Sequence, residues 1–377
     1  ARRAMAAGTV HVPSLVGLLV DLADASGAVI REVTRGGDLG VRDKGAIPTL
    51  DGALVADAQT EADRRVEALL LAALARAHAE VVVVGEESSE GEMDGEMREA
   101  DAEAARRLVE GARSTEAELA ASQEAGWPEA LREPVDASRV VVYADPLDGT
   151  NEYAGGEREA VTVLMGVAVD GRPVAGVIHQ PFHGYDARAA ADGQTDERLA
   201  PLGRTVWGGP GVGVRGGGVR MEARVSAPPP LRACLQRNLR DARQEPCCEA
   251  LQVEEACRIS ATGYHWLRVL EGSAHCNLML RKASKKWDSC AGEALLVAAG
   301  GGVTDTVGRL YDYTHNPDAV QNLCGLVGFA DRALGERVTR TIQETIAPLG
   351  DYPYDVDDGS VMPGTEIHGN VRHDVAA

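Results

Sequence analysis

The stretch Asp145-Pro-Leu-Asp-Gly-Thr150 indicates both the fold and the chemistry of this 377-residue chain. It directly follows Arg139–Tyr143, a run with three valines that predicts a buried strand. Downstream, Val161–Val169 and Pro173–His179 flank the turn Asp170-Gly171, a pattern typical of a β-hairpin. The stretch is therefore predicted to be an acidic loop at the end of a strand, next to further strands.

The composition of this loop suits the binding of charged ligands. Pro146 restrains the backbone, so that the carboxylates of Asp145 and Asp148 can face the same ion. Gly149 allows the backbone to approach a ligand closely. If a helix begins near Thr150, its free amide groups provide a place for a phosphate.

The rest of the chain shows helical and extended patterns in alternation, which predicts a layered α/β or α+β fold. Helices are predicted at 13–33, 58–78, 249–257 and 288–299, and strands at 81–84, 139–143, 205–207 and 275–280. Residues 88–134 are acidic and poor in large apolar side chains, so we expect surface helices there. We divide the chain into an N-terminal half with the metal site (1–180), a C-terminal half that completes it (181–349) and a polar tail (350–377).

Two further carboxylates lie at the ends of predicted elements. Glu86 follows the strand at 81–84, and Asp288 opens a helix. If Glu86, Asp145, Asp148 and Asp288 converge, they repel one another unless cations lie between them, and hard oxygen ligands favour Mg²⁺. Each feature alone is ordinary, since Asp-Gly is a common turn and Asp a common helix cap. Their joint occurrence predicts a two-metal site for phosphate-ester hydrolysis.

Charge excludes several classes of partner. The chain has 38 basic and 58 acidic side chains, a net charge of -20, which argues against binding to nucleic acid or to an anionic membrane. The longest apolar run near the start, Leu15–Val20, falls short of the roughly 20 residues that span a bilayer. The expected partner is a small phosphorylated molecule.

Cysteine usage indicates a reducing compartment. The seven cysteines, at positions 234, 247, 248, 257, 276, 290 and 324, form no CxxC pair. Reduced thiols lead us to expect a cytoplasmic protein or, since the first residue is Ala1, a chloroplast or mitochondrial protein whose targeting peptide has been removed.

Three strings together resemble the signatures of the inositol monophosphatase superfamily. They are VVGEES at 83–88, DPLDGTNEY at 145–153 and KKWDSCAGEALL at 285–296. Within that superfamily the chain looks most like the 3'(2'),5'-bisphosphate nucleotidases, and the similarity covers about residues 13–345. The resemblance implies an α/β/α/β/α sandwich and lithium-sensitive hydrolysis that depends on two or three Mg²⁺ ions.

The resemblance also implies roles for individual residues. The metal ligands would be Glu86, Asp145, the Leu147 carbonyl, Asp148 and Asp288. Thr150, paired with Asp63, would orient and activate the attacking water. The backbone amides of Gly149 and Thr150 would bind the phosphate.

The region that would select the substrate departs from the nucleotidase pattern. The chain has VSAPPPLRACLQRN at 225–238 and SATGYHWLRVLEG at 260–272. We expect Tyr264, His265 and Arg268 to contact the base or the second phosphate. The expected reaction is removal of the 3'- or 2'-phosphate of adenosine 3'(2'),5'-bisphosphate to give AMP, a step of sulfur metabolism.

Two alternatives remain open at this point. The substrate could instead be an inositol phosphate, as for an inositol polyphosphate 1-phosphatase or an inositol monophosphatase. Alternatively, the chain could be a non-catalytic subunit that binds an assembly partner through the acidic insertion or the tail.

Overall fold

Helices and strands alternate along the chain in the computed structural model, which describes residues 8–48, 54–89, 98–123, 126–184, 203–218, 230–237, 243–280 and 284–347. The α-helices are α1 Val12–Gly36, α2 Glu61–Ala77, α3 Glu86–Ser89, α4 Glu99–Gln123, α5 Glu129–Arg132, α6 Thr150–Ala154, α7 Gln244–Ala250, α8 Thr262–Leu270, α9 Lys286–Ala298 and α10 Arg332–Ile346. Short 3₁₀ helices lie at Ala137–Arg139, Arg158–Ala160 and Pro317–Ala319.

The strands form two large sheets and two small ones. The strands are β1 Thr9–Val10, β2 Arg42–Pro48, β3 Leu54–Gln59, β4 Val82–Gly85, β5 Val135–Asp136, β6 Val140–Asp148, β7 Thr162–Val169, β8 Arg172–Gln180, β9 Arg204–Gly209, β10 Gly213–Gly216, β11 Leu231–Leu235, β12 Val253–Arg258, β13 Cys276–Met279, β14 Gly302–Thr304 and β15 Leu326–Phe329. The larger sheet has the order β10-β9-β8-β7-β6-β4, and the second has the order β12-β11-β13-β15-β14. The pairs β1–β5 and β2–β3 form the small sheets.

Strand β6 lies inside the larger sheet and is buried along its whole length. Its side chains alternate between the two faces, as the period of a strand requires. Val140 and Val142 pack into the core that contains α1, α2 and α4, whereas Val141 and Tyr143 pack into a second core on the opposite face. Burial on both faces explains why the run reads as continuously apolar.

The layers follow from these cores. Helices α1 and α2 cover one face of the six-stranded sheet and α4 packs against these two helices, whereas α8 and α9 lie between the other face and the five-stranded sheet. Helices α7 and α10 cover the outer face of the five-stranded sheet, where Leu334, Val338 and Ile342 are buried. This order confirms the predicted α/β/α/β/α sandwich.

Helix α9 packs unusually close to the six-stranded sheet. A Cβ atom added to Gly166 on β7 would lie 2.5 Å from Cys290 Sγ, and one added to Gly176 on β8 would lie 2.2 Å from the Ala291 carbonyl oxygen. The absence of side chains at these two positions allows the helix backbone to contact the sheet.

The prediction of a helix over Glu249–Cys257 is wrong. Helix α7 ends at Ala250, Gln252 has a φ of 51°, and Val253–Arg258 forms strand β12. That strand pairs in parallel with Leu231–Leu235, so pairing with a distant segment decides its conformation. Strand β6 also extends past the predicted end at Tyr143, as far as Asp148.

The acidic insertion contains helix α4, which is part of the core. Its Ala105 and Val109 are buried, and its Asp101 forms an ion pair with Arg65 of α2 at 2.9 Å.

The division of the chain at residue 180 stays a prediction, and the six-stranded sheet continues past that position through β9 and β10. The predicted polar tail, 350–377, lies outside the described residues.

Helix α1 is, within the described ranges, the one helix long and apolar enough to cross a membrane by length and composition. Its most apolar window has a mean hydropathy of 1.5 and is 61% buried inside the fold. Leu15, Leu19 and Leu22 on this helix are fully buried against the sheet and its neighbouring helices. This burial is what a core helix requires.

Candidate active site

The loop at the end of β6 holds two of the predicted aspartates. Asp145 and Asp148 are 1% and 6% exposed, and Asp145 Oδ1 accepts a hydrogen bond from the Leu147 amide at 3.0 Å. Gly149 has a φ of 87°, in the left-handed region that favours glycine, and turns the chain into helix α6, which begins at Thr150.

Asp148 is fixed by a distant helix. The backbone amides of Thr262 and Gly263, at the start of α8, donate to its two carboxylate oxygens at 3.0 Å and 2.7 Å, and the Thr162 hydroxyl donates at 2.8 Å. A helix N-terminus stabilises negative charge through its free amides and its dipole. The side chain is therefore held in one orientation before any ligand binds.

Asp288 joins the same cluster from a third direction. It is the third residue of helix α9, and its Oδ2 accepts from the Lys285 amide at 2.6 Å, as in a capping box. The indole of Trp266 donates to the Asp288 carbonyl oxygen at 2.8 Å. Helix α9 therefore presents this carboxylate toward the end of β6.

The cluster suits a divalent cation. Carboxylate oxygens of Asp145, Asp148 and Asp288 all lie within 4.8 Å of one another. Burial and the neighbouring Asp288 raise the pKa of Asp148 to about 7, and burial together with Glu86 raises the pKa of Asp145 well above its usual range. Carboxylates held this close bind either protons or a cation, and carboxylate oxygens are the ligands that Mg²⁺ prefers.

Glu86 lies beside this cluster and is one-fifth exposed. Its carboxylate pairs with Lys44 Nζ at 3.2 Å, and the same ammonium lies 3.0 Å from Glu87. Burial raises the pKa of Glu86 to about 8, and the charges of Glu87 and Asp288 add to this shift while Lys44 opposes it. The roles of Glu86 and of the Leu147 carbonyl as metal ligands stay predictions.

Asp63 and Thr150 form the predicted pair. Asp63 is 1% exposed, caps helix α2 by accepting from the Thr60 amide at 2.8 Å, and accepts from Thr150 Oγ1 at 3.1 Å. Thr150 Oγ1 also lies 3.0 Å from the Leu147 carbonyl oxygen, but a hydroxyl has one proton and donates to one acceptor at a time. Burial raises the pKa of Asp63 to about 6, which places it in the range of a general base.

Sequence reasoning missed a second row of polar residues behind these carboxylates. Glu67 accepts from the amides of Glu87 and Ser88, both at 2.8 Å, and Gln59 donates to Glu87 at 2.5 Å. Glu67 lies four residues after Asp63 on α2, so this spacing was a usable signal. No spacing in the sequence indicates Lys44, because the β2–β3 hairpin determines its position.

The predicted substrate contacts lie on helix α8. Arg268 lies over the Tyr264 ring, with its guanidinium carbon 5.8 Å from the ring centroid. His265 is fully buried, and its Nδ1 lies 2.9 Å from Asn277 Oδ1, so its imidazole leaves no surface for a substrate. Substrate contact stays a prediction for Tyr264, Arg268 and the amides of Gly149 and Thr150.

Comparisons with known proteins agree with this geometry. A sequence profile of the inositol monophosphatase family matches residues 14–347. The chain is 29% identical to human 3'(2'),5'-bisphosphate nucleotidase 1 over 353 residues, which covers 91% of this chain and 100% of the human protein. It is 31% identical to the rat protein of the same name, with 79% of this chain and 85% of the rat protein covered.

Solved structures support the fold. The extragenic suppressor protein SuhB of Bartonella henselae superposes with a TM-score of 0.57 at 17% identity, covering 88% of this chain and 98% of that one. The inositol monophosphatase of Anabaena gives a TM-score of 0.54 at 16% identity, covering 89% and 98%. The fold, the acidic cluster at the end of β6 and the profile match over nearly the whole chain agree, and the chain belongs to the inositol monophosphatase family of phosphatases.

Proposed function

We propose that this protein hydrolyses the 3'(2')-phosphate of adenosine 3'(2'),5'-bisphosphate to AMP with Mg²⁺. The observation that supports hydrolysis is the convergence of the Asp145, Asp148 and Asp288 carboxylates beside the hydrogen-bonded pair of Asp63 and Thr150. The family is metal-dependent, typically on Mg²⁺, and this donor set of hard oxygens fits that ion.

Each group has one task in the proposed reaction. Bound Mg²⁺ supplies positive charge that orients the phosphate and makes water a better nucleophile. The Thr150 hydroxyl accepts a hydrogen bond from the attacking water while it donates its own proton to Asp63. Asp63 takes the proton, and the amides of Gly149 and Thr150 bind the phosphate oxygens at the start of α6.

The nucleotide is favoured over an inositol phosphate by similarity along the chain. The relatives named 3'(2'),5'-bisphosphate nucleotidase 1 match over 79–91% of this chain, whereas the Xenopus laevis protein named inositol monophosphatase 3 matches over 55%. On helix α8, the partly buried ring of Tyr264 and the Arg268 guanidinium offer an aromatic face and a cation. An adenine base stacks on an aromatic ring and a second phosphate pairs with a cation, so these two groups suit the nucleotide.

The catalytic proposal is tested by phosphate release with and without Mg²⁺. We expect release that requires Mg²⁺ and that falls to background in Asp148→Asn. Asp136→Asn is the matched control and should keep full activity. Asp136 is exposed and lies shortly before the start of β6, whereas the carboxylate cluster lies at the end of that strand. Equal background release from all three proteins would instead indicate a non-catalytic subunit.

The substrate is tested separately. Adenosine 3',5'-bisphosphate, its 2',5'-isomer, inositol 1-phosphate and inositol 1,4-bisphosphate are compared by kcat/KM in Mg²⁺, with and without Li⁺. We expect the two nucleotides to be hydrolysed fastest and Li⁺ to inhibit. Faster turnover of either inositol phosphate would refute the nucleotidase assignment and leave the phosphatase assignment intact.

A further inference from the structure

Two cysteines and a histidine meet at an edge of the five-stranded sheet and form a group distinct from the carboxylate cluster. Cys234 on β11 and Cys257 on the edge strand β12 are partners in the strand register, and their sulfur atoms lie 3.4 Å apart. Both sulfurs and a ring nitrogen of His265 lie within 4.8 Å of one another. Cys257 is partly exposed, so the group can be reached from solvent.

The hydrogen bonding of the His265 imidazole suits a metal ligand. Its Nδ1 lies 2.9 Å from Asn277 Oδ1. An amide oxygen only accepts, so Nδ1 carries the proton and Nε2 presents a lone pair. Within the described residues Nε2 has no hydrogen-bond partner, although the side chain is fully buried. A buried nitrogen without a partner is costly, and binding of a cation would satisfy it.

We propose that Cys234, Cys257 and His265 form a Zn²⁺ site separate from the acidic cluster. Two thiolates on a tetrahedral zinc ion are about 3.8 Å apart, given Zn–S bonds of about 2.3 Å, and the observed 3.4 Å is close to this. A disulfide would need the sulfurs to approach to about 2.05 Å. Solvent supplies the fourth ligand on the exposed side of Cys257.

The charges are consistent with this ion. The Cys234 and Cys257 sulfur atoms already lie in hydrogen-bond contact at 3.4 Å, so a cation that binds both thiolates replaces a shared proton. Binding releases the thiol protons of Cys234 and Cys257 to solvent as the two Zn–S bonds form. Zn²⁺ with two thiolates has no net charge, so the neighbouring Arg268 guanidinium does not repel the complex.

The proposed site and the acidic cluster share helix α8. His265 lies on this helix two residues after Gly263, whose amide donates to Asp148. A ligand bound to His265 would therefore restrain the same helix that orients a proposed Mg²⁺ ligand. This relation depends only on the geometry of α8 and not on the substrate.

The experiment uses the reduced full-length chain with excess Mg²⁺ to fill the acidic cluster, and Co²⁺ as a spectroscopic substitute for Zn²⁺. We expect one equivalent of Co²⁺ to produce a thiolate-to-cobalt charge-transfer band that Zn²⁺ abolishes. Cys257→Ser and Cys234→Ser should each weaken or remove the band. Cys248→Ser, a change at another partly exposed cysteine, should leave it unchanged.

Two results would overturn the proposal. One is the absence of a thiolate band in wild-type protein whose circular dichroism shows it to be folded. The other is a band of unchanged intensity in folded Cys257→Ser. If Cys257→Ser does not fold, alkylation of the wild-type protein decides instead: one equivalent of Zn²⁺ should slow modification of Cys257 at least tenfold, and an unchanged rate refutes the site.

Discussion

At Asp63, helix capping and the proposed proton transfer use the same carboxylate. One oxygen accepts from the Thr60 amide and the other from Thr150. The cap fixes the direction of the side chain, and the start of α2 thereby determines where a base is available. Asp288 is held in the same way at the start of α9.

We predict that Asp63→Asn lowers kcat for phosphate release by about 10²- to 10⁴-fold, because the amide cannot take a proton. The Asn oxygen still accepts from Thr60, so the melting temperature should stay equal or rise. Glu61→Gln, in the same first turn of α2 but partly exposed, is the control and should keep its activity. Near wild-type kcat in Asp63→Asn would contradict the assigned role.

The acidic cluster predicts the pH dependence of the metal-free protein. The folded pKa values of Asp63 (about 6) and Asp148 (about 7) lie above the ordinary value of 3.8, so the folded state binds protons that the unfolded state has released. The free energy of unfolding should therefore fall as the pH rises from about 4 to 7, by about 3 kcal/mol for Asp63 alone.

Thermal unfolding in EDTA between pH 4 and pH 7 measures this decline. Saturating Mg²⁺ should remove most of it, because the cation stabilises the ionised carboxylates. A melting temperature in EDTA that rises across this range would show that ionisation of the buried carboxylates does not destabilise the folded protein.

At the scale of elements, three segment ends define the site. The end of β6 and the starts of α8 and α9 meet at Asp148 and Asp288. The close packing of α9 on the sheet sets the height of Asp288 above β6, because the helix backbone touches Gly166 and Gly176.

We predict that Gly176→Ala destabilises the protein by about 1–3 kcal/mol, because the new methyl group meets the Ala291 carbonyl and α9 has to shift. The shift should also move Asp288 and raise the Mg²⁺ concentration needed for half-maximal activity. Gly111→Ala is the matched control, since apart from the backbone of its own helix the described residues place no atom within 4 Å of the added Cβ, and helix α4 should gain up to about 1 kcal/mol. Denaturant titration and Mg²⁺ titration measure the two effects. Equal stability of both variants would contradict the packing argument.

At the scale of the whole molecule, the net charge of -20 acts against the compact state. We predict that the melting temperature in EDTA at pH 7.5 rises when KCl is increased from 0.01 M to 0.15 M, because the Debye length falls from about 30 Å to about 8 Å. The gain should shrink near pH 4.9, the calculated isoelectric point. A fall in melting temperature at pH 7.5 would mean that surface ion pairs outweigh the repulsion.

The sequence by itself determined the alternation of helices and strands, the strand that leads into Asp145 and Asp148, and the helices that carry Asp63 and Asp288. These features depend on local periodicity, capping and turn residues, which neighbouring positions in the chain already contain.

Only the tertiary structure decided the contacts that cross long stretches of sequence. The Thr262 amide that orients Asp148 lies 114 residues away, and nothing local to Asp148 indicates it. Strand β12 and the Cys234–Cys257 pair likewise depend on parallel pairing with β11. The physical reason is that strand pairing and helix packing bring together atoms whose separation in the chain leaves no periodic pattern to read.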